Sequence, residues 1–563
     1  MKSVSVRVLR HFFFLMLAPA LGAGSLRAQE PPPFQLQVDY SSHGMVSAAQ
    51  PLATWAGVQI LEAGGNAADA AVAAAFAIAV VEPSMNSIGG RTQILIRLPG
   101  GDVRGIDATT QAPWSYDAET APTGDYGYPQ IGVPGAVAGL TRLLEEHGSL
   151  SLETVMAPAI RLAEEGFRVL PGEAARQASQ AAQVAEFEGS REYFLKPDGS
   201  PYEAGDLLAQ PVLANTLRKI ATGGAEIFYR GEIARAMATD MEIHGAAVTM
   251  ESLAEYRAED AVVVRGSYRG YELVGTYVPA AGAQTIEALQ ILETLNLRAM
   301  SAGERALAVG QALTLAAQDW PLQGSPDMAA RVTSKAWAAE RAARLTVGSP
   351  AQVGAGEGQP QPDLESVWAR LPKGNTTHLS TADSEGMMVA LTQTLGPLMG
   401  SKVATPGLGF LYASTLGGGY LRPMAPGERA ATNISPLLVL KDGAPILILG
   451  AAGGGMIPVA IVNAIVHFVD EGLPFPAAIT APRVVGGLGG PLSMETHQGP
   501  GWSASVLEEV RAMGIEVREV LRTGAFGRIH GIRYFSETGH WEGVADPDWE
   551  GTALGARRQG GGG

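Results

Sequence analysis

The chain has 563 residues and no cysteine; 46% of its side chains are hydrophobic, 17% are charged, and its net charge is −16. This is the composition of a folded globular protein, long enough for roughly two to four domain-sized units. Lack of cysteine excludes disulfides, a thiolate nucleophile and thiolate metal sites. The acidity argues against nucleic acid, which binds through neutralised phosphates, and against an anionic membrane surface.

The first segment reads as an export signal. Lys2, Arg7 and Arg10 precede an apolar run over 12–21, and small residues lead to Ala28-Gln29, so residues 1–28 have the layout of a secretory signal peptide. The apolar run is about 10 residues, or ~15 Å as a helix, half of a ~30 Å hydrocarbon core. No membrane anchor is expected, and the mature protein, from residue 29, should be soluble and periplasmic or secreted.

A Pro-rich leader over 30–34 gives way to a helix over 51–63, ended by Gly64-Gly65. A second helix over 67–81 can be capped by Asn66 or Asp69; being Ala/Val-rich on all sides, it should be buried all round. Residues 93–98 and 103–106 read as a strand pair across Pro99-Gly100-Gly101. Gly132-Val133-Pro134-Gly135 introduces a helix over 136–146, and 150–260 reads as mostly helical. Strands are expected over 261–276 and helices over 285–297 and 303–320. The Gly/Pro/Gln-rich run 348–362 reads as a linker. A hairpin follows, with strands over 377–382 and 387–394 around Asp383-Ser384-Glu385-Gly386. The pattern stays strand-rich to 446–449, then passes through a glycine run into helices over 458–471 and 505–513 and the final strands. Residues 557–563 read as a frayed tail. Strands and helices mix without a fixed repeat, which suggests helices layered on sheets.

The nine histidines show no metal-ligand spacing, and Gly-x-Ser-x-Gly, Walker and dinucleotide motifs are missing. Neither a metal nor a cofactor is expected. Two features point to acyl transfer. Thr376, in Asn375-Thr376-Thr377-His378-Leu379-Ser380, is a poor nucleophile inside a chain. Cleavage before it would give it a free α-amine, whose reference pKa of about 7.7–8.0 suits a general base. The second feature is Gly450-Ala451-Ala452-Gly453-Gly454-Gly455, between a buried strand end and a helix. Such a turn exposes backbone N–H groups beside a helix N-terminus, where they can hold an oxyanion.

Together these residues resemble the γ-glutamyltranspeptidase family. Glu62-Ala63-Gly64-Gly65-Asn66-Ala67-Ala68-Asp69-Ala70-Ala71-Val72, Val81-Glu82-Pro83 and Ile88-Gly89-Gly90 are similar to its N-terminal signature. Gly132-Val133-Pro134-Gly135, Phe228-Tyr229-Arg230-Gly231, Tyr268-Arg269-Gly270-Tyr271, the Thr376 segment and Gly453-Gly454 continue the match in order, from about 44 to 554. The resemblance implies an α/β fold, the four-layer αββα sandwich of N-terminal-nucleophile hydrolases. It implies self-cleavage at Asn375–Thr376 into a large chain (29–375) and a small chain (376–563) that stay together as one intertwined domain. Thr376 would be nucleophile in both self-cleavage and catalysis, Thr394 would place a hydroxyl near the new amine, and Gly453 and Gly454 would supply oxyanion N–H groups. The expected partner is a small-molecule amide or peptide substrate.

The departures concern the acyl group. Where the family carries an Arg for the γ-glutamyl carboxylate, this chain has Thr109, and where it holds the amino group with Asn, this chain has Gly396. Thr415, Gly418, Thr432 and Asn433 stand at further substrate-binding positions, and Arg91-Thr92 replaces two glycines. Most of the charged clamp is therefore absent, unless Arg91 substitutes for it in space. By family the expected activity is γ-glutamyl transfer or glutathione hydrolysis. The pocket favours an acylase for a non-glutamyl group, and the competing reading is a binding protein that retains the fold without turnover.

Overall fold

Strands buried on both faces need apolar side chains on both, and this chain builds two such sheets. The computed structural model describes residues 37–121, 124–277, 279–322, 325–347, 375–416, 424–496, 501–521, 525–548 and 550–557. The expected signal peptide (1–28), the linker (348–362) and Gly417-Gly418-Gly419 lie outside the described residues, as does the tail beyond Arg557. The described residues fall within one compact unit, Pro33–Gly563.

The strands of the two large sheets are β1 (Gln37–Ser41), β2 (Gly44–Ala48), β3 (Arg91–Arg97), β4 (Val103–Ala108), β5 (Glu259–Asp260), β6 (Val263–Tyr268), β7 (Tyr271–Thr276), β8 (Asn375–Asp383), β9 (Met388–Gly396), β10 (Leu437–Lys441), β11 (Ala444–Ala452), β12 (Arg528–Phe535), β13 (His540–Ala545) and β14 (Thr552–Gly555). One sheet runs β14–β2–β8–β9–β3–β4–β5 and the other β1–β13–β12–β11–β10–β7–β6, with antiparallel neighbours throughout. Each sheet draws strands from both sides of the Asn375–Thr376 bond. The two halves therefore share both sheets.

Alternation along the strands sorts the core into layers. Met388 and Ala390 of β9 meet Leu438 and Leu440 of β10, Ile448 of β11 and Trp541 of β13 between the sheets. Val389 and Leu391 turn outward onto α1 (Pro51–Glu62), α2 (Ala67–Val81), α3 (Ala136–His147) and α4 (Leu152–Glu165). Leu437, Val439, Leu447 and Leu449 turn onto α5 (Gly282–Glu293), α6 (Ala302–Asp319) and α7 (Met456–Val469). The result is helix, sheet, sheet, helix, as the sequence implies.

Helix α2 is buried at every position. Its alanines make it thin enough to lie close behind the sheet. Asn66 accepts from the N–H groups of Ala68 and Asp69, and Asp69 answers to the N–H of Asn66 at 2.8 Å, closing a capping box. The same end is tied to the β8–β9 hairpin: Ala67 N–H donates to Asp383 (2.9 Å), and the Thr381 hydroxyl donates to the Ala67 carbonyl (2.7 Å).

Three expectations need correction. Residues 397–436 contain isolated bridges rather than strands among the described residues. Positive φ at Gly396, Met399, Gly400 and Lys402 breaks the period-two path there. Strand β11 continues to Ala452, past the expected end at 449, because Gly450 is a strand residue and not part of a turn. Helix α5 begins and ends about one turn earlier than the pattern over 285–297 suggests.

Candidate active site

The sheet register lines up the site residues in rows. Thr376 of β8 pairs with Thr394 of β9, and Thr394 pairs with Arg91 of β3. In the next row His378 pairs with Thr392, Thr392 with Gln93, and Gln93 with Asp107 of β4. All these side chains face the layer between the sheets, where every second residue of a strand must point.

The Thr376 hydroxyl donates to Thr394 Oγ1 at 3.3 Å. Thr394 in turn donates to the carbonyl oxygen of Asn375 at 2.6 Å and accepts from the N–H of Gly396 at 2.8 Å. The Thr376 hydroxyl, the Thr394 hydroxyl and the Asn375 carbonyl thus form one hydrogen-bonded chain. The N–H of Gly396 holds Thr394 in place, so this residue has a backbone role despite lacking a side chain for substrate.

Among the described residues Thr377, Ser380 and Thr392, which stand nearby, make no hydrogen bond to the Thr376 hydroxyl. Thr377 points to the opposite face and its hydroxyl is buried without a partner among the described residues. Ser380 and Thr392 both bond the imidazole of His378, at 3.1 Å and 2.7 Å. Thr394 holds the Thr376 hydroxyl and His378 holds the floor beneath it. His378 and His530 are completely buried. Burial, and then the neighbouring His530, push the pKa of His378 well below the ordinary imidazole value, while His530 is pushed down to about 4, mainly by burial. Neither can carry charge near neutral pH. The alternation of Thr376, His378 and Ser380 could have revealed this floor.

Gly450 makes room for that ring. A Cβ there would lie 2.3 Å from His378 Cε1, so β11 crosses against β8 two residues along from Thr376. Gly453 and Gly454 follow at the strand end, ahead of α7, with φ of 134° and 59°. A Cβ on Gly453 would also meet Gly527 Cα at 2.8 Å. Both positions thus favour glycine.

The substrate-binding candidates divide. Thr109 N–H and hydroxyl both donate to Asp107 Oδ1, at 2.9 Å and 2.7 Å, and Gln93 Nε2 donates to the same oxygen at 2.6 Å. The Thr109 hydroxyl is therefore committed. Burial raises the Asp107 pKa, opposed by the nearby Arg429. Arg429, which sequence reasoning missed, reaches the Asp107 carbonyl at 3.1 Å and Glu259 at 3.1 Å. Thr415 is buried, and its hydroxyl has no hydrogen-bond partner among the described residues. Thr432 accepts from Ile434 N–H at 3.3 Å, and Asn433 beside it is buried. Arg91 is 0% exposed, and its Nη1 lies 3.4 Å from the carbonyl of Ala431, next to Thr432. Gly418 lies outside the described residues.

A helix–sheet–sheet–helix sandwich of this kind defines the N-terminal-nucleophile hydrolases. Within that class the chain belongs to the γ-glutamyltranspeptidase family, whose sequence profile matches residues 53–556. It is 34% identical over 475 residues to the acylase ACY 1 proenzyme of Pseudomonas sp. (strain V22), covering 79% of this chain and 82% of that one. It is 31% identical over 481 residues to the glutathione hydrolase proenzyme of Escherichia coli (strain K12), covering 79% and 81%. A crystal structure of cephalosporin acylase from Bacillus halodurans superposes with a TM-score of 0.82 at 29% identity, over 94% of this chain and 99% of that one. The chain is a γ-glutamyltranspeptidase-like hydrolase. No helix among the described residues is long and apolar enough to cross a membrane.

Proposed function

We propose that this protein is an exported, self-processing amidase or acyltransferase that works through an acyl-Thr376 intermediate. The observation that carries the reading is the Thr376–Thr394–Asn375 chain of 3.3 Å and 2.6 Å. In self-cleavage Thr376 Oγ1 attacks the Asn375 carbonyl carbon, and Thr394 steadies the negative charge growing on its oxygen. The C–N bond breaks, the hydroxyl proton ends on the new Thr376 amine, and Asn375 is left esterified to Oγ1. Water hydrolyses that ester and leaves chains 29–375 and 376–563.

The freed amine then serves as general base for the same hydroxyl. Oγ1 attacks a substrate amide, the N–H groups of Gly453 and Gly454 receive the oxyanion, and the amine returns the proton to the leaving nitrogen. Water or a second amine takes the acyl group from Thr376. Thr109, Thr415, Thr432 and Asn433 border the acyl pocket in this reading. Relatives named glutathione hydrolase support γ-glutamyl transfer or glutathione hydrolysis as the family activity. A second reading, an amidohydrolase for a non-glutamyl acyl group, is favoured by Thr109, a neutral residue whose hydroxyl is already committed to Asp107.

The test is intact mass spectrometry of the small chain after mixing with glutathione and with a panel of acyl p-nitroanilides. A mass increase on Thr376 equal to the acyl group, with release of thiol-bearing dipeptide or nitroaniline, is expected. A processed protein that never acquires an acyl group would instead be the binding protein. N-terminal sequencing of exported material should begin near Gln29.

A further inference from the structure

The helix Pro211–Tyr229, kinked at Gly224, belongs to the outer helical layer with α2 and α4. Gln210, the residue before it, is tied by its N–H to Ala163 of α4 (2.7 Å) and by its Nε2 to Val80 of α2 (2.8 Å). Gln210 gives the first turn no side-chain cap, and Pro211 has no N–H to offer. The first bond within the turn is donated by the N–H of Ala214 to the Gln210 carbonyl (2.9 Å). The N–H groups of Val212 and Leu213 therefore have no acceptor among the described residues. They stand at the helix end where the dipole favours negative charge.

A cavity of about 130 Å³ lies against this turn. At ~30 Å³ per water it has room for roughly four such molecules. Gly409, with a φ of 77°, keeps it open: a Cβ there would come within 2.6 Å of the Leu213 nitrogen. Gln210 also lines the cavity. It is only 5% exposed, yet its Oε1 has no partner among the described residues. An unused acceptor thus stands beside two unused donors. Tyr193 lines the opposite side and accepts from the N–H of Gly407 (2.6 Å). Burial raises its pKa, so its own proton stays on the hydroxyl and can be donated. The exposed carboxylate of Glu192 stands at the rim, and no lysine or arginine lines the cavity. A lone anion would meet Glu192 with no cation to offset it. A lone cation would face the positive end of the helix. A molecule that carries both charges meets neither penalty.

We propose that this cavity binds a small α-amino acid. None of its lining residues belongs to the strands of the Thr376 row, so the site is separate from the one described above. The carboxylate of the ligand takes the N–H groups of Val212 and Leu213 and the Tyr193 hydroxyl, as anions do at helix N-termini. Its ammonium group is held between Gln210 Oε1 and Glu192. The volume suits glycine, alanine or serine rather than a long side chain.

Calorimetric titration of the purified protein with alanine, acetate and ethylamine tests the site. Alanine carries both charges and the other two carry one each. Alanine should bind saturably, and tighter than either control by a factor on the order of 10 or more. Gly409→Ala fills the space over the Leu213 nitrogen and should abolish that binding. Glu192→Gln, an exposed change that spares the fold, should weaken alanine several-fold and leave acetate no weaker. A crystal soaked in alanine should show it on the first turn of the helix. Absence of saturable alanine binding, or binding that either variant keeps unchanged, overturns the proposal. Acetate binding as tightly as alanine would make the site a plain anion site and overturn the amino-acid assignment. Should Gly409→Ala fail to fold, Glu192→Gln and the soaked crystal decide.

Discussion

The layer between the two sheets has two ends built on the same strands, and they are made of opposite chemistry. At one end Ala382, Met388, Ala390 and Leu95 face Leu438, Ile448, Ile532 and Trp541. At the other, on the same faces of β8, β9, β3 and β4, stand Thr376, His378, Thr392, Thr394, Arg91, Gln93 and Asp107. The change falls at the row in which Ser380 of β8 is opposite Ala390 of β9, and Ala390 opposite Leu95 of β3. The apolar end holds the sheets together by burial. The polar end keeps hydroxyls in fixed hydrogen bonds and out of bulk water, the setting the proposed acyl transfer would need. One sandwich is thus both clamp and reaction vessel, and the register separates the two.

Substitutions at the polar end should change chemistry before stability, and at the apolar end the reverse. The largest effect is expected for Thr376→Ala, which should stay a single polypeptide with no turnover, read on a denaturing gel and by nitroanilide release. Two fragments from that variant would assign the cut to a foreign protease. Next, Thr394→Val removes the donor to the Asn375 carbonyl and should slow self-cleavage by a factor on the order of 10² to 10³, followed as the half-time of precursor loss. Thr394→Ser should stay close to wild type.

A third effect is on pH dependence. His530 is held neutral, its pKa pushed down to about 4 mainly by burial, and neither ring nitrogen has a protein partner among the described residues. An unfolded imidazole titrates near 6.5. Above that value both states are neutral and the full stability is present. As pH falls from about 6.5 to 4 only the unfolded chain takes the proton, so stability should drop by up to ~3 kcal/mol. Urea midpoints at pH 7.5, 5.5 and 4.5 measure this, and His530→Gln should flatten the slope. If the slope is unchanged, other groups carry the acid sensitivity.

The smallest effects compare the two ends directly. Gly450→Ala drives a methyl into the His378 ring and should cost about 1–3 kcal/mol, with a further loss of activity as the floor under Thr376 shifts. Ile448→Val, two residues away at the apolar end, should cost about 1 kcal/mol and leave kcat unchanged. Equal activity losses in the two would erase the distinction between the ends.

Much of this architecture is legible in the residues alone. Helix α2 is readable because its cap, its Ala/Val run and its stop at Pro83 are local. The β8–β9 hairpin is readable because period-two alternation and the Asp383–Gly386 turn are local too. The bridged segment 397–436 is not, since positive φ at Met399 and Lys402 is imposed by packing on residues that rarely adopt it. Gly450 reads as a turn glycine, yet it is a strand glycine whose reason is the His378 ring on another sheet.

The sequence by itself determined the family and the layered fold class, because both are carried by residue type and short spacing repeated in order along the chain. Only the tertiary structure decided that Thr394, and not Thr377, Ser380 or Thr392, hydrogen-bonds the Thr376 hydroxyl. Only it tied the Thr109 hydroxyl to Asp107 and stood Arg91 in the nucleophile's row. Those are matters of strand register between segments some 300 residues apart in the chain. A shift of a single residue in that register would turn every one of these side chains to the opposite face.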